Sequence, residues 1–367
     1  MQKEQIRGVG LNPNTYIHLT EHLAPLCTIM DMPLLLTDEQ HNQQALDLYP
    51  GLKTLLIDWE DVTPQYLYEN FEMFFQSEPW NRKDFYTNFQ LLEQTYQKNV
   101  RNVHCPHGFS DKVFWLQKCV DEDITLIYGE NMLDMFKEFG VIDHLNAYVR
   151  SGNYRYAYYL QHQEFYDQLI EQQVWNQFAD KTKPTILYAP TCHDLEHTTS
   201  FLHAQPLFEN LPAEYNLLVK IHPALEETDG PALYRLMGKY DNKGNVVFVK
   251  DLPLVYPILA RAALYIGDMS SIGYDFLVFN RPMFFLNQIK RDPQRDRQLF
   301  LYRCGVTIQP EEYSKIYPFI ASHLASDQSD LSKMRSQVYH YTFGENIPFN
   351  QLKNSILETY FSQKKLN

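Results

Sequence analysis

Two serines and two histidines in this 367-residue chain stand where chemistry on a phosphate could be done. The most informative stretch is ALYIGDMSSIGYDFLVFNRPMFFLN, residues 263–287. An apolar run ends at Asp268, then Ser270, Ser271 and Gly273 follow, then a short helical pattern, then Arg281-Pro282 and a second apolar run. Open α/β sheets bind ligands at the carboxyl ends of their strands. A strand-to-helix turn with two serines offers backbone N–H groups, hydroxyl donors and the positive end of a helix dipole, a set that cradles a pyrophosphate. Asp275, one helical turn beyond Ser271, is placed to accept from ribose hydroxyls. The plainer alternative is a serine cap with Asp275 on a solvated face.

KIHP, residues 220–223, closes another apolar run and brings Lys220 and His222 to the same kind of edge. An imidazole there can donate to a phosphate oxygen or protonate a leaving phosphate. APT, residues 189–191, adds a small-residue turn and the Thr191 hydroxyl. In the first half, HCPHGFSDK (104–112) also closes an apolar run. Gly108 permits close backbone approach, His107 is a candidate general base, and Ser110, Asp111 and Lys112 suit an acceptor phosphate. Cys105 beside His104 suggests a thiol nucleophile only weakly, with no third group to orient it. His193 and His197, with Asp194 and Glu196, match no zinc spacing, so no metal site is expected.

The elements that must position these groups alternate between strand and helix patterns. Strands are expected at 32–38, 53–59, 72–78, 102–107 and 124–130 in the first half. In the second half they are expected at 185–190, 215–223, 246–251, 263–268, 282–287 and 305–308. The second set is nearly continuous in apolar residues, the pattern of parallel strands buried on both faces. Helical segments between them make βαβ units. Segment 82–96 puts Phe85, Phe89, Leu92 and Tyr96 at helical spacing. The expected architecture is α/β, with two Rossmann-like domains facing across a cleft and a C-terminal helix crossing back. The expected divisions are a first domain over 1–152, a helical linker over 153–183, a donor-binding domain over 184–345 and a final helix over 346–367.

Composition excludes several function classes. A formal charge of -13 with no basic run is wrong for a nucleic-acid binder. Five cysteines without CxxC spacing fit a reducing cytoplasm better than a disulfide framework or a zinc site. The N-terminal residues MQKEQIRGVGLNPN lack the apolar core of a secretory signal. No apolar stretch approaches the roughly 20 residues of a membrane span.

The segments HGFSDK (107–112), GNYR (152–155), ILYAPT (186–191), KIHP, DMSSIGYDF (268–276) with RPMFFLN (281–287), and LYRCG (301–305) occur in one order. In that order they resemble the CDP-glycerol glycerophosphotransferase family, the teichoic-acid primases and polymerases, over roughly residues 100–345. The resemblance implies a GT-B-like fold of two Rossmann-type domains. It implies His107 as the base on the acceptor hydroxyl, and His222 as the pyrophosphate-binding group that helps CMP leave. Ser270 and Ser271 then form the donor-phosphate turn, with Thr191, Lys220, Asp268, Gly273 and Asp275 around it. Gly108, Ser110, Asp111, Lys112 and Arg155 fall on the acceptor side. No tightly bound cofactor is expected; the donor is CDP-glycerol or CDP-ribitol, and the acceptor a glycan or lipid-linked hydroxyl in cell-envelope or capsule polymer synthesis. The protein is expected in the cytoplasm, with peripheral association at the inner membrane face compatible. Two rivals stand beside this reading: a sugar transferase of the same architecture, and a nucleotide-binding module without turnover.

Overall fold

A computed structural model of the chain describes residues 6–13, 16–77, 90–98, 100–112, 116–192, 199–241, 243–326 and 329–363. Residues 82–89 of the expected helix 82–96, and His193, Asp194, Glu196 and His197, lie outside the described residues. The chain forms two compact units. Unit 1 comprises Met1–His107, Val113–Gln161 and Thr342–Asn367; unit 2 comprises Gly108–Lys112 and His162–Tyr341.

The strands of unit 1 are β1 (Gly8–Leu11), β2 (Pro33–Leu36), β3 (Lys53–Leu56), β4 (Met73–Gln76), β5 (Arg101–His104), β6 (Ile124–Ile127) and β7 (Tyr148–Arg150). They form one sheet in the order β3-β2-β1-β4-β5-β6-β7. Those of unit 2 are β8 (Thr185–Ala189), β9 (Asn216–Lys220), β10 (Val246–Val249), β11 (Leu264–Gly267), β12 (Met283–Leu286) and β13 (Val306–Ile308). Their order is β10-β9-β8-β11-β12-β13. Every pairing in both sheets is parallel. Each sheet therefore reverses its strand order once, between β1 and β4 in unit 1 and between β8 and β11 in unit 2. Doubly wound sheets open a ligand crevice at this point.

The apolar runs explain unit 2 directly. All residues of β8, β9, β10, β11 and β12 are buried. Ile186, Leu217, Val219, Ile266 and Phe284 meet in one core. Helices on both faces leave no room for alternating polar side chains.

Two strands had no counterpart in the sequence reading. β1, an interior strand of the unit 1 sheet, carries glycines where strands favour branched residues. A Cβ on Gly10 would stand 2.4 Å from the Cys27 sulfur, and one on Gly8 would stand 2.9 Å from the Met32 sulfur. The helix Ile17–Met30 packs too closely on Gly10 for a side chain there, and Met32, just beyond the helix, crowds Gly8. β7 is three residues long with only Val149 buried, too short to register as a pattern.

The expected linker is two helices, Tyr154–Gln161 in unit 1 and Gln163–Gln173 in unit 2. The final helix, Phe349–Ser362, returns to unit 1 and buries Leu352, Ile356 and Tyr360. Lys353 Nζ donates to the Met30 carbonyl at 3.1 Å, and Gln363 Nε2 to the Asp123 carbonyl at 2.8 Å. Among the described residues no helix is long and apolar enough to cross a membrane.

The returning chain presses on Gly129, just after β6. A Cβ there would lie 2.6 Å from the Thr342 carbonyl oxygen. The φ of Gly129 is -169°, open to any residue, so the cost of a side chain is contact alone. Gly129→Ala is expected to destabilise the protein by about 1–3 kcal/mol. Urea denaturation measures this, and a variant as stable as wild type would contradict the packing.

Candidate active site

In unit 2 the strand ends at the order reversal carry the expected residues. β8 and β11 are neighbours, with Ala189 opposite Gly267, so Thr191 and Asp268 emerge on the same edge. Asp268 is 0% exposed. One carboxylate oxygen accepts from the Thr191 N–H at 2.8 Å, the other from the N–H and hydroxyl of Ser200 at 2.6 and 2.7 Å. The Ser200 hydroxyl also meets the Tyr188 hydroxyl at 2.9 Å. Asp268, expected among the donor-binding groups, turns inward and fixes Thr191 and Ser200. Burial is the dominant influence on its carboxyl and pushes its pKa to about 6, against the pull of the Ser200 and Thr191 donors and the Lys112 charge.

Ser270 stands at the N-cap of the helix Ser271–Phe276, with extended backbone angles and no side-chain capping bond. Its hydroxyl is therefore not used as the plainer sequence reading required. The helix is six residues long and runs into a 3-10 turn at Leu277–Phe279, so its dipole is weaker than the sequence suggested. Gly273 is needed for contact, since a Cβ would lie 2.6 Å from Leu301 Cδ2. Asp275 is buried and accepts from the Tyr256 hydroxyl at 2.8 Å; the expected ribose contact finds that oxygen engaged within the protein. Arg281 donates to the carbonyls of Ala260 and Ala262 at 2.8 and 2.6 Å, which ties down the chain before β11.

His222 follows β9 and is half-buried. Its Nδ1 accepts the Ala224 backbone N–H at 3.2 Å. An amide can only donate, so the proton of the neutral ring sits on Nε2. Lys220, the last residue of β9, is buried at the same strand end.

The segment expected on the acceptor side of the first domain is built into unit 2 instead. Asp111 is 2% exposed and collects three donors. They are the Tyr274 hydroxyl at 2.6 Å, Arg297 at 3.0 Å and the Leu301 N–H at 3.0 Å. Burial raises its pKa against those contacts. Phe109 packs edge-on against Tyr274, ring centres 4.7 Å apart. Lys112 Nζ donates to the Thr191 hydroxyl at 2.8 Å. Gly108, with φ of 102°, takes a backbone conformation closed to most side chains. Ser110 is half-buried in the same stretch.

In unit 1, His107 is exposed, three residues beyond β5. Its Nδ1 lies 3.1 Å from the Ser77 carbonyl oxygen, just past β4. A carbonyl can only accept, so in the neutral tautomer Nδ1 carries the proton and Nε2 the lone pair. The His22 ring stands edge-on to it at 6.4 Å, and burial, with the Arg155 charge, holds His22 neutral. Arg155 itself is 3% exposed and lies 3.8 Å from Glu21. It joins two helices inside unit 1 rather than presenting a cation to solvent. The Cys105 thiol is pushed up to about 11 by burial and contacts the Tyr154 hydroxyl at 3.0 Å, so it is no nucleophile at neutral pH.

Ser200, Arg297 and His22 shape these surroundings and lie outside every motif singled out in the sequence, while Tyr274 falls within DMSSIGYDF with no role assigned to it there. Only Arg297 had a pointer, its position four residues before LYRCG. Among the described residues no three His, Cys, Asp or Glu side chains group as metal ligands would.

Comparison with known proteins gives a consistent picture. Residues 144–301 match the sequence model of a family described as CDP-glycerol:poly(glycerophosphate) glycerophosphotransferase. A teichoic acid glycerol-phosphate primase of Bacillus spizizenii is 26% identical over 249 residues, 66% of this chain and 58% of the primase. One from Bacillus subtilis is 27% identical over 169 residues, 44% of this chain and 39% of that protein. The chain thus spans about half the length of the curated relatives it matches. Among solved structures, the wall teichoic acid polymerase TagF soaked with CDPG aligns with a TM-score of 0.61 at 12% identity, over 100% of this chain and 92% of that one. MnaA of S. aureus with UDP aligns with a TM-score of 0.61 at 13% identity, over 98% of both. At these identities the structural likeness is one of fold, the GT-B-like pair of Rossmann units.

The raised pKa of Asp268 has a measurable sign. The value of about 6 lies above the ~3.9 of an exposed aspartate. Between those values the folded state binds the proton more readily than the unfolded chain. The contribution to stability is complete below about pH 4 and is lost as pH rises through 6. Asp268→Asn cannot titrate. The stability of wild type relative to this variant should therefore rise by on the order of 1 kcal/mol from pH 7 to pH 5. Urea denaturation at both pH values tests this; a difference that does not change with pH would refute it.

Proposed function

We propose that this chain, a relative of the CDP-glycerol:poly(glycerophosphate) glycerophosphotransferases through residues 144–301, moves glycerol phosphate from CDP-glycerol to a hydroxyl and releases CMP. The acceptor class we assign is a glycan or lipid-linked hydroxyl in envelope polymer synthesis. The reaction belongs in the cytoplasm, where nucleotide-activated donors are made, with peripheral contact to the membrane when the acceptor is lipid-linked. CDP-ribitol is the alternative donor.

The observation that supports this reading best is the complementary pair of histidine tautomers. A backbone carbonyl leaves His107 with a lone pair on Nε2. A backbone amide leaves His222 with a proton on Nε2. One ring is prepared to take a proton and the other to give one. In the proposed reaction, His107 Nε2 removes the acceptor hydroxyl proton. The oxygen attacks the β-phosphorus in line, and the bond from that phosphorus to the bridging oxygen breaks. CMP departs with that oxygen, to which His222 Nε2 donates. Ser270, Ser271 and Lys220 line the donor phosphates. Phosphoryl transfer asks mainly for positioning and charge neutralisation, which is what such a set supplies.

CMP release from CDP-glycerol, measured over a panel of acceptors, tests the reading. His107→Ala and His222→Ala should each lose about 10²–10⁴ of the turnover while melting within a few degrees of wild type. Wild-type turnover in either variant removes that ring from the reaction. Turnover of UDP-N-acetylglucosamine without CMP release from any CDP donor would assign the chain to sugar-nucleotide chemistry on the same fold. Nucleotide binding with no turnover would leave it a binding module.

A further inference from the structure

We propose that Lys112 is a donor-side residue, whose ammonium binds the diphosphate of the activated nucleotide at the Thr191 edge of unit 2. The proposal deepens the function given above and rests on it for the identity of the nucleotide.

The first support is position. The sequence puts Lys112 next to the acceptor-side histidine, 79 residues from Thr191. In the fold its Nζ is 2.8 Å from the Thr191 hydroxyl. Thr191 donates its N–H to Asp268, and the Ser270 N–H donates to the Asp268 carbonyl at 2.8 Å. Lys112, Thr191 and the serine turn are therefore linked through one residue, at the point where the sheet of unit 2 reverses its strand order. This is where a doubly wound sheet receives a phosphate-bearing ligand.

The second support is rigidity. A lysine on a loose loop binds weakly, because four rotatable bonds and the backbone must all be ordered. Here the residue before it, Asp111, is buried and held by three donors. Phe109 is packed against Tyr274, on the helix that follows the serines. The stem of Lys112 starts from a fixed backbone, so only the side chain has to be ordered.

The third support is charge. A diphosphate brings about two negative charges to a chain that already carries -13. Asp268, at the edge itself, adds another. Arg281 is engaged by two carbonyls and Arg155 is buried in unit 1. The helix after the serines has six residues, too few for a strong dipole. Lys220, at the end of β9, is one cation at this edge, and segment 108–112 brings a second. A compact ammonium with three donors can hold the threonine hydroxyl and a phosphate oxygen together.

The test uses the full chain with CDP, UDP and inorganic pyrophosphate as probes in isothermal titration calorimetry, for wild type, Lys112→Gln and Lys112→Arg. Lys112→Gln should weaken binding of CDP and pyrophosphate at least tenfold. Lys112→Arg, which keeps the charge, should stay within about threefold of wild type. In turnover, Lys112→Gln should raise the KM for CDP-glycerol and leave the acceptor KM unchanged. Wild-type CDP affinity in Lys112→Gln, or a rise in acceptor KM alone, overturns the proposal. So does equal loss in both variants, which would mark a packing role. If wild type binds UDP but not CDP, the CDP-glycerol reading fails, and a tenfold loss of UDP affinity in Lys112→Gln still upholds Lys112. A wild-type protein that binds none of the three overturns both.

Discussion

The Asp111 carboxylate is shut away from water and held by a phenol, a guanidinium and a backbone amide. Burying a carboxylate costs several kcal/mol unless donors replace its hydration. Three donors from the helix after the serine turn and from the turn before β13 meet that need. In return, all three are fixed to a five-residue piece of chain that is remote in sequence. The helix after the serine turn, the 297–301 turn and the segment 108–112 are therefore tied to one another within unit 2. Removing the carboxylate would leave the buried Tyr274 hydroxyl and the Leu301 amide without that acceptor, a larger loss than any one contact suggests.

A second buried carboxylate organises the other side of the same edge. Asp268 holds Thr191 and Ser200, and its oxygens face protein donors rather than solvent. Two aspartates that look like ligand-binding groups in the sequence act as fasteners. In the function proposed above, the direct work on an anionic ligand is assigned to hydroxyls, an imidazole and lysines. This division suits an acidic protein, because carboxylates pointed at a diphosphate would repel it.

Much of this was legible in the sequence. The strands of unit 2 were readable because burial on both faces leaves unbroken apolar runs, as in β9 and β12. The position of the serine turn and of His222 beyond strand ends was readable because each follows such a run. β1 was hidden because close packing against Cys27 and Met32 demands glycine, the residue that least resembles a strand. Side-chain direction was hidden too. Asp275 and Arg155 have the right types for a ligand site, but one faces Tyr256 and the other Glu21. Residue type does not tell which way a polar group turns when an internal partner is available. The membership of segment 108–112 was hidden for another reason. The partners of Asp111 lie 163 to 190 residues away, and no local pattern encodes a pairing at that range.

That non-contiguous membership governs how the protein can be divided. A fragment beginning at His162 would carry every strand of the second sheet and would look complete by sequence. It would nonetheless lack the small inserted piece that satisfies Tyr274, Arg297 and Leu301, and would keep a vacant slot beside the serine turn. Anyone excising or transplanting this lobe must carry residues 108–112 with it, as a covalent graft or an added peptide.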